Sequence, residues 1–180
     1  MGPSWCRGSG GSGRTGGPAV GLWLPEVRGA VEALPWLEGF CEVRLDHGRA
    51  AFSVRDPSPL GLRSLGGAGS FELGPESLDA YREFGFPGFD RPPVTALGLL
   101  AHRSGPDDHR AFGHLALWLA ERFDALIDFT DELPRQAVEL PGRLREQPYG
   151  LDGGGRALVH VGDREFLAAW LRHPEFRLVT

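Results

Sequence analysis

The clearest pattern of hydrophobic and polar positions is an apolar stripe at helical spacing in the second half of the chain. Its members are Phe112, Leu115, Ala116, Leu119 and Phe123, and Leu117 and Trp118 widen it. This spacing predicts an amphipathic helix that is covered on more than one side. Its N-terminus is expected to be capped by Ser104 or by the pair Asp107 and Asp108.

Apolar runs and alternating positions predict strands before and after this helix. The hairpin signal is the strongest, because Cys41, Val43 and Leu45 alternate with charged residues and His47-Gly48 follows them. The predicted strands span residues 19–24, 40–46, 49–55, 94–102, 125–129, 156–161 and 176–179. Strands and helices therefore alternate along the chain, as in α+β domains.

Proline, glycine and capping residues mark the other predicted elements. The predicted short helices are residues 25–34, ended by Pro35; residues 75–83, closed by Gly85; and a last helix capped by Asp163 and ended by Pro174. The predicted loops are residues 57–70 and 130–155, with Gly153, Gly154 and Gly155 at a loop tip.

The length and the N-terminal composition set the domain organisation. Residues 1–17 of the 180-residue chain are rich in glycine and serine, which predicts a disordered tail. Residues 18–180 are enough for one α+β domain with a sizeable core. We expect a single compact domain, with an antiparallel or mixed sheet packed with helices in ferredoxin-like strand-helix-strand units.

Composition bears on partners and compartment. The chain has no lysine, no asparagine and one isoleucine, a bias typical of GC-rich bacterial genomes. The formal net charge of −5 argues against general affinity for nucleic acid or anionic membranes. No segment reaches the roughly 18 consecutive apolar residues of a membrane span. Cys6 and Cys41 fit neither a disulfide framework nor a metal-binding pair, so we expect a cytoplasmic protein.

Three segments carry a resemblance to a known family: PDDHRAFGHLALWLAERFDALIDF, LPGRLREQPY and VHVGDREFLAAWLRHPEFRLVT. They resemble an uncharacterised domain-of-unknown-function family of high-GC, actinomycete-type bacteria. The resemblance covers the C-terminal half of the chain. It implies an intact domain of bacterial origin, and it implies no particular activity or catalytic residues.

Candidate catalytic chemistry is limited to histidines and aspartates near two predicted strand-to-helix turns. Asp108, His109, His160 and Asp163 would form a small metal-dependent or His/Asp-based hydrolase if they converged. The simpler interpretation is that the aspartates cap helices and the histidines bind backbone groups. No GxSxG, P-loop, GxGxxG or HExxH motif accompanies them. We therefore predict no metal site and no cofactor.

Three phenylalanines lie among glycines and a proline in residues 84–89. The simpler interpretation is that they close over the edge of the core, since each aromatic side chain buries about 150–250 Å². The alternative is a partner-binding anchor, because charged residues flank an aromatic loop of hot-spot composition. On that alternative, the partner-binding residues are Phe86, Phe89, Asp90 and Arg91.

Together these patterns favour a non-catalytic, cytoplasmic protein-binding module, with an immunity-type protein that neutralises a toxin as one form of it. The alternative is the small hydrolase, and a structural homo-oligomer is the third interpretation. The sequence specifies neither the identity of the partner nor the oligomeric state.

Overall fold

The computed structural model describes residues 17–65, 69–103, 105–151 and 153–178. Its strands are β1 (Ala19–Leu24), β2 (Cys41–Asp46), β3 (Arg49–Val54), β4 (Ser70–Glu76), β5 (Thr95–Ala101), β6 (Leu126–Asp128), β7 (Leu144–Gly150) and β8 (Arg156–Gly162). They form one eight-stranded sheet in the order β2-β3-β4-β5-β1-β6-β8-β7. Every neighbouring pair in it is antiparallel.

Helices pack against this sheet, which confirms the predicted α+β class. The α-helices of the described residues are α1 (Leu34–Leu37), α2 (Asp79–Arg82), α3 (Pro106–Phe123), α4 (Arg135–Val138) and α5 (Arg164–Leu171). Short 3-10 turns span Ala30–Ala33 and Ser58–Leu60. No helix within the described part of the chain is both long and apolar enough to cross a membrane.

The main core lies between one sheet face and the helices α3 and α5. The predicted stripe on α3 is confirmed, since Phe112, Leu115 and Leu119 are completely buried. Leu22 and Leu24 of β1 point into this core. Trp23, the residue between them, points to the opposite face, because side chains alternate along a strand.

The connection through α3 gives the domain its ferredoxin-like character. β5 and β6 flank β1 and are both antiparallel to it, so they run in the same direction. The helix that joins two such strands must travel the length of the sheet. The start of α3 therefore lies at one end of the sheet, and its C-terminus lies at the other.

Two of the observed strands, β4 and β7, were not predicted. β4 runs from the last residue of the predicted loop 57–70 into the predicted helix 75–83, of which only the single turn α2 is helical. β7 lies within the predicted loop 130–155. Pro75 is tolerated in β4 because β3 pairs with β4 only as far as Leu73, so Pro75 loses no ladder bond on that side. β7 lies at the sheet edge, where a proline such as Pro148 is acceptable.

The first predicted helix was misplaced. Residues 25–29 are not helical, and α1 begins only at Leu34. Pro35 lies in the first turn of α1 and does not end a helix, because the fixed φ of proline suits that position.

The predicted cap of α3 also differs. Gly105 is the N-cap residue and makes no side-chain capping bond. Asp107 and Asp108 lie in the first turn, where their charge interacts with the helix dipole. Ser104 lies outside the described residues.

Residues 176–178 do not form the predicted last strand. The Leu178 N–H donates to Nδ1 of His109 at 3.2 Å, and the indole N–H of Trp170 donates to the Arg177 carbonyl at 3.3 Å. Side chains of α3 and α5 thus form hydrogen bonds with the backbone of residues 177 and 178, in place of the pairing with a neighbouring strand. Outside the described residues lie Val179 and residues 1–16 of the predicted tail, which include Cys6.

Candidate binding site

A pocket of about 210 Å³ lies at one end of the sheet. β1 and β8 finish at this end, and β6 and β7 begin there, as their antiparallel pairing requires. Residues of the loop that precedes β5 line it from the other side. We call it the arginine pocket, because Arg91, Arg143, Arg145 and Arg164 line it.

The apolar wall of the pocket belongs to an aromatic cluster on the sheet face away from α3. Its centre is the buried Trp23, whose ring centroid lies 4.8 Å from Tyr81, 5.5 Å from Phe86 and 6.0 Å from Phe89. Trp23 and Phe89 line the pocket directly. The half-buried Phe86 and Phe89 thus cover the edge of a small core, and Phe89 also borders the pocket.

Three of the four arginines are held by aspartates. Asp124 follows α3 in the left-handed conformation (φ 52°), which aspartate tolerates better than most residues. Its carboxylate pairs with Arg91, and with Nη2 of Arg164 at 3.4 Å. Nη1 of Arg143 lies 3.1 Å from Oδ2 of Asp90. These exposed pairs add little stability, but they position the guanidinium groups around the pocket.

Arg145 is held differently. It lies opposite Val161 in the β7–β8 ladder. Within the described part of the chain it makes no ion pair, and its guanidinium carbon lies 5.9 Å from the centroid of Phe89. Its guanidinium lies against Gly88, where a Cβ would be only 2.3 Å from Nη1 and would force the guanidinium to shift. Gly88 also has a positive φ of 79°, which favours glycine at this turn.

A buried carboxyl group lies behind the aromatic cluster. Asp128 is 2% exposed, and its Oδ2 accepts a hydrogen bond of 2.7 Å from the Tyr81 hydroxyl. Its Oδ1 accepts one of 2.8 Å from the Thr130 N–H, and the Trp23 indole donates another. Burial raises the pKa of Asp128 to about 6, although these hydrogen bonds oppose the rise. Trp23 thus links the carboxyl group to the pocket wall.

The four candidate hydrolase residues do not converge. Asp163 lines the arginine pocket together with Asp124, which directly follows α3. Asp108 lies in the first turn of α3. The 16 residues between Asp108 and Asp124 span about 24 Å along the helix axis, at 1.5 Å per residue. Asp108 and Asp163 are therefore at opposite ends of the sheet.

Both candidate histidines use Nδ1 as a hydrogen-bond acceptor. His160 accepts from the Leu133 N–H at 2.7 Å, and His109 accepts from the Leu178 N–H at 3.2 Å. Burial lowers the pKa of His109, which favours the neutral ring that such a bond needs. Among the described residues, no three His, Cys, Asp or Glu side chains are grouped to hold a metal ion. The histidines therefore anchor loop backbone.

Asp163→Ala is expected to lower the free energy of unfolding by about 1 kcal/mol, because Asp163 is the N-cap of α5. Its Oδ1 accepts a 2.8 Å hydrogen bond from the Phe166 N–H, which confirms the predicted cap. Urea denaturation measures the loss. Asp163→Asn keeps a capping oxygen and should lose much less; equal losses would contradict the capping role.

The predicted partner-binding loop and the arginine pocket coincide in part. Phe89, Asp90 and Arg91 line the pocket, whereas Phe86 packs on Trp23. The remaining charged lining was not predicted: Asp124, Arg143, Arg145 and Arg164. Alternation in residues 144–150 was the available signal, since a strand there places Arg145, Gln147 and Tyr149 on one face.

Comparison with known proteins gives a family without an assigned function. Residues 16–180 match the family described as Family of unknown function (DUF6368), and the chain belongs to it. The match takes in the N-terminal half as well as the C-terminal segments on which the resemblance was recognised. No curated protein and no solved structure matches the chain.

Proposed function

We propose that this member of a family of unknown function is a non-catalytic protein-binding module that holds its partner at the arginine pocket. The observation that carries the proposal is the meeting of Phe89 and Arg91 with Arg143 and Arg145 around one pocket. Aromatic residues and arginine are the side chains most enriched among binding hot spots. Ion pairs hold Arg91 and Arg143, and the contact with Trp23 holds Phe89, before any partner arrives, which reduces the entropy lost on binding.

The size of the pocket suits a side chain of a partner better than a drug-sized ligand. Its volume is about 210 Å³, whereas sites for drug-sized ligands usually measure about 300–1,000 Å³. A pocket of this size suits one or two side chains that a partner inserts. The structural roles of His109 and His160 give the hydrolase alternative no comparable support.

One form of this function is an immunity-type protein that neutralises a toxin in the bacterial cytoplasm. Cys41 is a free, buried thiol, and unpaired thiols are typical of reducing compartments. Burial raises the pKa of Cys41 to about 12, so the thiol stays protonated and unreactive. The net charge of −5 argues against nucleic acid as the partner.

Affinity capture with matched variants tests the proposal. The immobilised full chain is exposed to a lysate of the source organism, and retained proteins are compared with those on Phe89→Ala, Arg91→Ala and Arg44→Ala. Arg44 is the control, because it is exposed on β2 at the far edge of the sheet. The same protein should be retained by the wild type and by Arg44→Ala. Its affinity should fall at least about tenfold in both pocket variants.

Several outcomes would contradict the proposal. Retention that is unchanged in the pocket variants would place the interface elsewhere. A stable homo-oligomer in sedimentation, dissociated by Arg91→Ala but not by Arg44→Ala, would favour the structural interpretation. Hydrolytic activity that is lost in His160→Ala would favour the enzyme. For the immunity-type form, the captured protein should arrest growth when expressed alone and should not do so when co-expressed with this chain.

A further inference from the structure

We infer that the arginine pocket receives an aspartate or glutamate side chain of the partner, with Arg145 as the direct counter-ion and Phe89 as the apolar wall beside it. The inference rests on the proposed function, since it names the chemistry of the group that the partner inserts. The proposed function states where the partner binds, whereas the inference states that the inserted side chain is negatively charged. A partner could also occupy the pocket with a neutral side chain.

The charge balance of the pocket singles out Arg145. Four arginines and three aspartates line the pocket, which leaves one positive charge in excess. Two of the aspartates form ion pairs with the other three arginines, and the third, Asp163, caps α5. Arg145 is thus the arginine of the pocket whose charge no described carboxylate matches within ion-pair distance.

The position of Arg145 suits an incoming side chain. Its guanidinium is close to the ring of Phe89 and close to the backbone at Gly88, so one end of the pocket is positive and its neighbour is apolar. A planar guanidinium offers paired N–H donors that a carboxylate accepts bidentately. The methylene groups of an aspartate or glutamate can meanwhile contact the aromatic ring.

A carboxylate fits this balance better than a phosphate does. It carries one negative charge, which equals the excess positive charge of the pocket. A phosphate monoester carries about 1.5 to 2 negative charges near neutral pH. A phosphate would therefore leave part of its negative charge uncompensated beside the three aspartates. A phosphorylated partner is accordingly one of the outcomes that the test distinguishes.

The test uses two small probes that differ only in charge, N-acetyl-glutamate N-methylamide and N-acetyl-glutamine N-methylamide. Each is titrated into the ¹⁵N-labelled full chain at pH 7.5, and the Trp23 indole N–H resonance is followed by NMR. The Trp170 indole lies in the other core and is the internal control. The glutamate probe should bind at least about tenfold more tightly than the glutamine probe, because a charged hydrogen bond replaces a neutral one.

Arg145→Gln should abolish the preference, so that the two probes bind the variant equally. A second pair of variants moves Arg145 without replacing it. Gly88→Ala places a Cβ against the guanidinium and should weaken the glutamate probe several-fold. Gly85→Ala imposes the same left-handed strain (φ 63°) with nothing within 4 Å of the new Cβ, and should leave that probe unaffected.

Four results would overturn the inference. These are equal shifts with both probes, no saturable shift with either, a preference that survives Arg145→Gln, or tighter binding of inorganic phosphate than of the glutamate probe. The last would assign the pocket to a phosphorylated group. None of them affects the capture experiment, so a failure of the carboxylate assignment is distinguishable from a failure of the proposed function.

Discussion

Leu115→Ala is expected to lower the free energy of unfolding by about 2–5 kcal/mol. Leu115 lies on α3 and is completely buried, as are its stripe neighbours Phe112 and Leu119. Removing its isobutyl group loses the free energy of burial and leaves a cavity that close-packed neighbours fill only in part. Urea denaturation followed by tryptophan fluorescence measures the change.

Leu117→Ala is the matched control on the same helix. Leu117 is half-buried, and the same substitution gives the same change in helix propensity. Its expected loss is about 1 kcal/mol, so the difference between the two variants isolates the effect of burial. Equal losses would contradict the assignment of Leu115 to the centre of the core.

The elements that sequence reasoning located correctly are those specified by local patterns. The stripe on α3 repeats over several turns, so the buried face follows from spacing alone. The β2–β3 hairpin follows from alternation on both sides of His47-Gly48, which adopt positive φ angles of 44° and 78°. In both cases the residues that determine the element are neighbours in sequence.

The strands that sequence reasoning missed are ones in which sheet pairing overrides local propensity. β4 contains Gly74 and Pro75, and β7 contains Pro148, so local propensity opposes both. Pairing with β5 and with β8 nevertheless forms them. Proline is a reliable sign of a strand boundary only when the position of the strand in the sheet is known.

Of the candidate site, sequence reasoning identified the loop and, as a helix cap, Asp163. Phe86 and Phe89 stood out because three phenylalanines share a short segment that glycine and proline keep out of the sheet. Arg145 could not be linked to that loop, since more than fifty residues separate them and β7 was not recognised. The pocket arises where four strand ends meet, which is a property of sheet order.

Asp128→Asn is expected to remove a pH dependence of stability worth about 3 kcal/mol. Burial raises the pKa of Asp128 from its ordinary value of 3.8 to about 6 in the folded protein. The folded state therefore binds this proton more tightly than the unfolded state does. The resulting stabilisation is fully present below about pH 4 and is lost as the pH rises through about 6.

The measurement is the free energy of unfolding of wild type and Asp128→Asn from about pH 4 to about pH 8. The difference between the two proteins, wild type minus variant, should fall by about 3 kcal/mol as the pH rises. Taking this difference cancels the groups that titrate equally in both. Parallel profiles would show that Asp128 has an ordinary pKa and is not buried as described.

Tyr81→Phe gives an independent check in which Asp128 stays in place. The Tyr81 hydroxyl donates a 2.7 Å hydrogen bond to Oδ2 of Asp128, and this bond lowers the pKa of the carboxyl group against the effect of burial. Without the hydroxyl the pKa should rise further, so the loss of stability should extend to higher pH than in the wild type. A loss that moves to lower pH would mean that the hydroxyl does not stabilise the carboxylate.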